Sequence, residues 1–225
     1  MVDNFSHNHF EEPIEEKGRL SRFFSSFILL IIVGAPCLLI VTVGNIFDEG
    51  VWFVPGGADN FDPIVQYTAV HNHAGDDAQL EGFEARFVRR DGTLDLTADN
   101  SPTVTYEFYR PRDTNSSVTF NYQIITVKLS RPYEWITAYT RGTDIDTYLN
   151  LGMDRNQNND TRQNVIEEAL PPTCSLRDFW TLAIEGYGAS SDDFAIVTYD
   201  ADGYTFRIEG TGINLNFNGD CDLVN

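Results

Sequence analysis

The sequence predicts an α+β, β-rich fold class: one N-terminal transmembrane helix, then an extracytoplasmic domain of antiparallel meanders with two short helices. Three observations lead there. Residues 23–47 (FFSSFILLIIVGAPCLLIVTVGNIF) hold no charged side chain, and about 20 apolar residues suffice to cross a hydrocarbon core of roughly 30 Å. Beyond that run, apolar and polar residues alternate with period two in one segment after another, as half-buried strands do. Two stretches, near residues 62–73 and 176–187, carry helix start and stop signals instead.

Residues 1–22 (MVDNFSHNHFEEPIEEKGRLSR) mix Glu, His and Asn with few large apolar groups, the composition of a disordered cytoplasmic tail. The expected membrane helix over 23–47 satisfies its own backbone hydrogen bonds, so lipid tolerates it. Pro36 predicts a kink, with Gly34 and Ala35 leaving room beside it. Two readings stand for that small-residue patch: a lone kinked anchor, or a seat for a partner helix. Lys17, Arg19 and Arg22 precede the run and Asp48 and Glu49 follow it, so the N-terminus is expected inside and the C-terminal domain outside the cell membrane. The run exceeds the h-region of a cleaved signal peptide. Cys37 lies in its middle, where lipidation is not expected.

Residues 48–60 read as a juxtamembrane linker, with Trp52 and Phe53 placed to sit at the membrane interface, where amphipathic rings concentrate. The exported domain is expected over 61–225, with possible halves 61–150 and 171–225. Asp62-Pro63 predicts a helix to about His73, ended by Gly75. Phe83, Ala85 and Phe87 alternate with charged neighbours as a first strand, Asp91-Gly92 is a turn, and Leu94 with Leu96 and then Val104, Tyr106 and Phe108 give two more strands. Ile125, Val127 and Leu129 follow, then a strand near Trp135–Tyr139, then a polar, turn-like stretch over 152–163. Pro171-Pro172 precedes an amphipathic helix from Ser175 to Gly188. Strands over 194–199, 204–209 and 213–217 close the chain, leaving one face of the sheet wet.

The two halves share an order of helix, Asp-Asp, strand, Asp-Gly turn, strand, strand, with Asp76-Asp77 and Asp91-Gly92 matching Asp192-Asp193 and Asp202-Gly203. Duplication is one reading. Shared hairpin turn chemistry is the other. The stretch TCSLRDFWTLAIEGYGASSDDFAIVTYDADGYTFRIEG, within residues 173–220, resembles PepSY-like modules, which implies a helix preceding a three-stranded meander and brings no catalytic signature. The order of anchor, linker and acidic β domain is similar to single-span accessory proteins of filamentous anoxygenic phototrophic bacteria. That resemblance implies a subunit of a respiratory or photosynthetic electron-transfer complex.

Charge narrows the partners. With Asp3, Glu11, Glu12, Glu15 and Glu16 and the three basic residues before the apolar run set aside, 29 of 34 acidic and 12 of 15 basic side chains lie from residue 48 onward. A domain carrying about −17 repels nucleic acid and anionic lipid heads and attracts cations or a basic soluble protein. Cys174 and Cys221, both in the exported part, are expected to form a disulfide in an oxidising compartment, with two free thiols as the alternative.

No Cys-x-x-Cys-His, phosphate loop, Gly-x-Ser-x-Gly or His-Glu-x-x-His occurs, so no cofactor and no catalytic residue is expected. His71 and His73 beside Asp76 and Asp77 could ligate a metal, but i and i+2 face different sides of a helix. Asp154, Asn156, Asn158 and Asp160 alternate as oxygen ligands do in a calcium loop, yet Asn159 stands where Gly belongs and Val165 where a bidentate Glu belongs. A self-solvating polar loop is the competing reading. Glu167-Glu168 and Asp192-Asp193 are adjacent carboxylates without the differing environments that an acid and base need. Tyr133, Trp135 and Tyr139 form a further aromatic group, for contact or for core. Three classes of function remain: a non-catalytic accessory or structural subunit docked to integral-membrane proteins, an extracytoplasmic ligand-binding or sensing module, and an enzyme.

Overall fold

The computed structural model describes residues 53–112, 119–132, 134–139 and 145–224. The chain divides into two compact units, 1–51 and 52–225, and every described residue belongs to the second. The expected tail, membrane helix and Trp52 therefore lie outside the described residues. Among the described residues, no helix is long and apolar enough to cross a membrane.

The elements run α1 (Tyr67–Ala74), β1 (Gln79–Val88), β2 (Thr103–Arg112), β3 (Phe120–Leu129), β4 (Glu134–Tyr139), β5 (Ile145–Asn150), β6 (Met153–Arg162), α2 (Leu176–Tyr187), β7 (Ala195–Asp200), β8 (Gly203–Ile208), β9 (Ile213–Phe217) and β10 (Leu223–Val224). Eight of the strands form one antiparallel sheet in the order β10-β9-β8-β7-β1-β2-β3-β6, and β4 pairs with β5. The β-rich α+β architecture is as expected. Each helix precedes a meander, β1-β2-β3 or β7-β8-β9, and the leading strands β1 and β7 meet antiparallel in the middle of the sheet.

Period-two alternation explains which face is covered. Phe83, Ala85, Val104, Tyr106, Phe108, Ile125, Val127, Val197, Phe206 and Leu215 are all buried, and they join Val70, Ala74, Phe179, Trp180 and Ala183 of the helices in one apolar cluster. Phe179 stacks on Phe217 at 3.9 Å, and Trp180 meets Phe206 edge-on at 5.3 Å. Aromatic pairs at such spacings add to plain area burial. The α2 helix ends at Gly188 in the left-handed region, where Gly188 N–H bonds Ile184 O and Ala189 N–H bonds Ala183 O, a glycine-dependent stop.

Four expectations are corrected. The first helix begins at Tyr67, not Asp62; Asp62 instead caps a turn, its Oδ1 accepting from Ile64 N–H at 2.9 Å and Val65 N–H at 3.1 Å. Leu94 and Leu96 are no strand of the sheet. They are fully buried in the β1–β2 connection, where Leu94 and Phe61 exchange backbone hydrogen bonds. Ser175 precedes α2 without a side-chain capping bond. The stretch 152–163 is largely strand β6, paired with β3 over its full length; exposed on both faces at the sheet edge, it has no apolar alternation to announce it.

Candidate functional site

The face of the sheet away from the helices carries a continuous row of polar side chains set by strand register: Asp154, Lys128, Thr105, Glu84, Thr198, Thr205 and Asn216. Directly paired residues on antiparallel strands point to the same side, so register alone assembles this row. Beside it the charge is one-sided. Glu107 stands opposite Gly82, and the register shift between Leu80 and Gly82 inserts Glu81 as an extra residue in β1. A bulge re-aims its side chain without breaking the strand, and Leu80 stays buried in the core.

Gly82 makes the site possible. A Cβ there would lie 2.3 Å from the backbone oxygen of Tyr199, closer than any side chain permits, so glycine lets β7 approach and brings Asp200 alongside. The result is a groove of about 420 Å³ whose polar lining includes Glu81, Glu84, Thr105, Glu107 and Asp200. It adjoins a second of about 600 Å³, lined also by Arg162, Glu167 and Asp202. Six carboxylates thus line the two grooves, with Glu84 paired to Arg86 and Glu81 to Arg162. Arg162 is held by Glu81 at 2.5 Å and by Asp160 at 2.9 Å.

Electrostatics follow from the crowding. The Glu107 carboxyl titrates above the ordinary glutamate range, chiefly because it is partly withdrawn from water, then because Glu81 and Glu84 repel its charge, with Arg162 opposing them. Asp160 is held below the usual range, first by its hydrogen bond from Arg162 and then by the Thr161 N–H. The arrangement gathers negative charge on a shallow surface. Among the described residues no group of three or more His, Cys, Asp or Glu side chains is placed to hold a metal ion.

The residues singled out from sequence fall elsewhere. Asp154, Asn156, Asn158 and Asp160 share one face of the extended strand β6, where same-face neighbours stand roughly 6.5–7 Å apart instead of curling around an ion. That geometry removes the calcium-loop reading. The histidines of α1 part company too: His71 Nε2 bonds Ala78 O at 2.8 Å, while Asp77 pairs with Arg110 Nε at 2.7 Å. His73 is lowered to about 4 by burial and by Arg155, against Asp154. Arg110 and Arg155 both donate to the Ala74 carbonyl at the end of α1, cations where a helix C-terminus favours them.

Cys174 and Cys221 form the disulfide, as expected. Phe53 is 63% exposed. Tyr133 and the side chains of Trp135 and Tyr139 lie outside the described residues, although the backbone over 134–139 is strand β4. Sequence reasoning missed Glu81, Glu107, Arg162 and Asp200. The glycine inside an otherwise regular strand, at position 82, was the available signal, since such a glycine marks a bulge or close backbone approach. Comparison with protein-family profiles, curated proteins and solved structures returns no match to this chain.

Proposed function

We propose that this chain is a membrane-anchored, non-catalytic accessory subunit of a membrane protein complex, which uses its acidic open sheet face to engage a basic partner outside the cell membrane. The observation that carries this is the gathering of Glu81, Glu84, Glu107, Glu167, Asp200 and Asp202 along two adjoining grooves on a broad, shallow surface, with only Glu81 and Glu84 paired to arginines, Arg162 and Arg86, among the described residues. Such a surface steers and orients a basic protein at a distance, with an attraction that weakens as salt rises. Anchoring through residues 23–47 would tether the domain to the membrane that holds such subunits, in keeping with the resemblance to accessory subunits of respiratory or photosynthetic electron transfer. Isolation from native membranes in mild detergent tests the reading: co-purified membrane subunits support it, and a chain recovered alone refutes it for stable complexes.

Two finer readings belong with it. The repeated order of helix and three-stranded meander, joined through β1 and β7, supports a duplicated unit, in keeping with the resemblance of the second half to PepSY-like modules. A ligand-binding role is favoured by one separate observation, a cleft of about 690 Å³ beside α2 in which Arg89, Arg90 and Arg177 stand among the carboxylates of Asp91, Glu185, Asp192 and Asp193. Small molecules that protect the chain from thermal unfolding, and lose that effect on Arg177→Ala, would move the assignment to a sensing module.

A further inference from the structure

Among the described residues, strand β6 is a long edge left open in a sheet whose other edge is guarded. The opposite edge, β10, is two residues long, one of the ordinary ways of blunting an edge against pairing. By contrast β6 runs ten residues, MDRNQNNDTR, in unbroken register with β3, without proline or bulge. Asn156, Gln157, Asn158 and Asn159 are all exposed, so solvent reaches both faces of the strand at its middle.

The direction of its backbone groups follows from one hydrogen bond. Ser130 N–H donates to Gly152 O at 2.9 Å, and 130 and 152 continue the same register as Leu129↔Met153. Hydrogen-bonded and non-hydrogen-bonded pairs alternate in an antiparallel ladder, so even-numbered residues of β6 face β3 with their backbone groups. Those of Arg155, Gln157, Asn159 and Thr161 point outward.

We propose that this edge pairs with β6 of a second copy of the chain, antiparallel about a twofold axis at Asn158, joining two eight-stranded sheets edge to edge. The occupant is argued from charge. Domain-wide acidity sets copies against one another, yet β6 balances Asp154 and Asp160 with Arg155 and Arg162 and is a neutral strip. Opposed to itself about Asn158, the strand sets Asp154 of each copy against Arg162 of the other, Asn156 against Asp160, and Gln157 against Asn159. A twofold axis requires that opposed residues share a face, so registers move in steps that carry the axis from one residue to the next. Centred on Gln157 instead, Asp154 would meet Asp160 in like-charge opposition. This inference does not rest on the acidic-face reading.

The test uses the full chain in mild detergent with Cys37→Ser as background. Asn158 would face its own copy in a non-hydrogen-bonded pair, with Cα atoms about 4.5 Å apart, within disulfide range. Light scattering is expected to give two chains per particle, and Asn158→Cys to cross-link them under mild oxidation. Asp154→Cys, about 27 Å from its copy at strand spacing, is expected not to cross-link. Gln157→Pro removes one outward N–H and is expected to give one chain per particle at an unchanged melting temperature; should it fail to fold, the cross-linking pattern decides alone. A single chain per particle in the unaltered protein would overturn the proposal, as would a dimer that Asp154→Cys captures and Asn158→Cys does not.

Discussion

Glu107 and His73 show how single side chains register the surroundings that the fold gives them. A carboxyl raised above its unfolded value binds more protons in the folded state, so its contribution to stability is lost as pH rises through the carboxylate range. Glu107, crowded by Glu81 and Glu84, should therefore stabilise less at neutral pH than its amide replacement. Glu107→Gln is expected to raise the melting temperature at pH 7 and leave it unchanged near pH 3, while weakening capture of a basic partner. His73 works in the opposite sense. Free histidine gains its proton near pH 6.5, and in the fold the value falls to about 4. Between those limits the unfolded chain binds more protons, so stability falls as pH drops from 6.5 to 4 and levels off below. His73→Gln is expected to flatten that part of a melting-temperature profile.

At the scale of elements, α2 is held mainly by its aromatic face. Trp180 is fully buried against Phe206, and its Nε1 has no hydrogen-bond partner among the described residues. Trp180→Ala is expected to lower stability by about 3–5 kcal/mol through the cavity it opens, and Trp180→Phe by clearly less, since no hydrogen bond is lost; chemical denaturation measures both. This helix was legible in sequence because apolar residues recur at helical spacing on one face and Gly188 stops it. So were β1, β2, β3, β7, β8 and β9, each with an alternating buried face. Strand β6 was not, because a strand wet on both faces leaves no period-two trace, and its Asn and Asp residues imitate a loop. Leu94 and Leu96 misled for the reverse reason: they alternate like a strand, but their burial comes from contact with the segment around Phe61.

Across the whole molecule, the disulfide ties the lead-in of α2 to the end of the chain beyond β9. Cys174 and Cys221 are 47 residues apart, and loop closure of that length stabilises by about 4 kcal/mol. Cys174→Ser with Cys221→Ser is expected to lower stability by roughly that amount, with the sheet retained in its far-ultraviolet spectrum. The pairing could be anticipated from the cysteine count and from the expectation of an oxidising compartment. The acidic face could be anticipated only as net charge, because its shape depends on a bulge at Glu81 and on the β1–β7 junction, which joins residues more than a hundred positions apart in the chain.

The most direct test of the account is partner capture from native membranes by the full chain and by Glu84→Lys combined with Glu107→Lys, with both proteins matched for melting temperature. The account predicts co-purification of membrane subunits or a basic protein with the unaltered chain, recovery that declines as salt rises, and its loss in the charge-reversed variant. Equal recovery by the two proteins, or capture indifferent to salt, would contradict it.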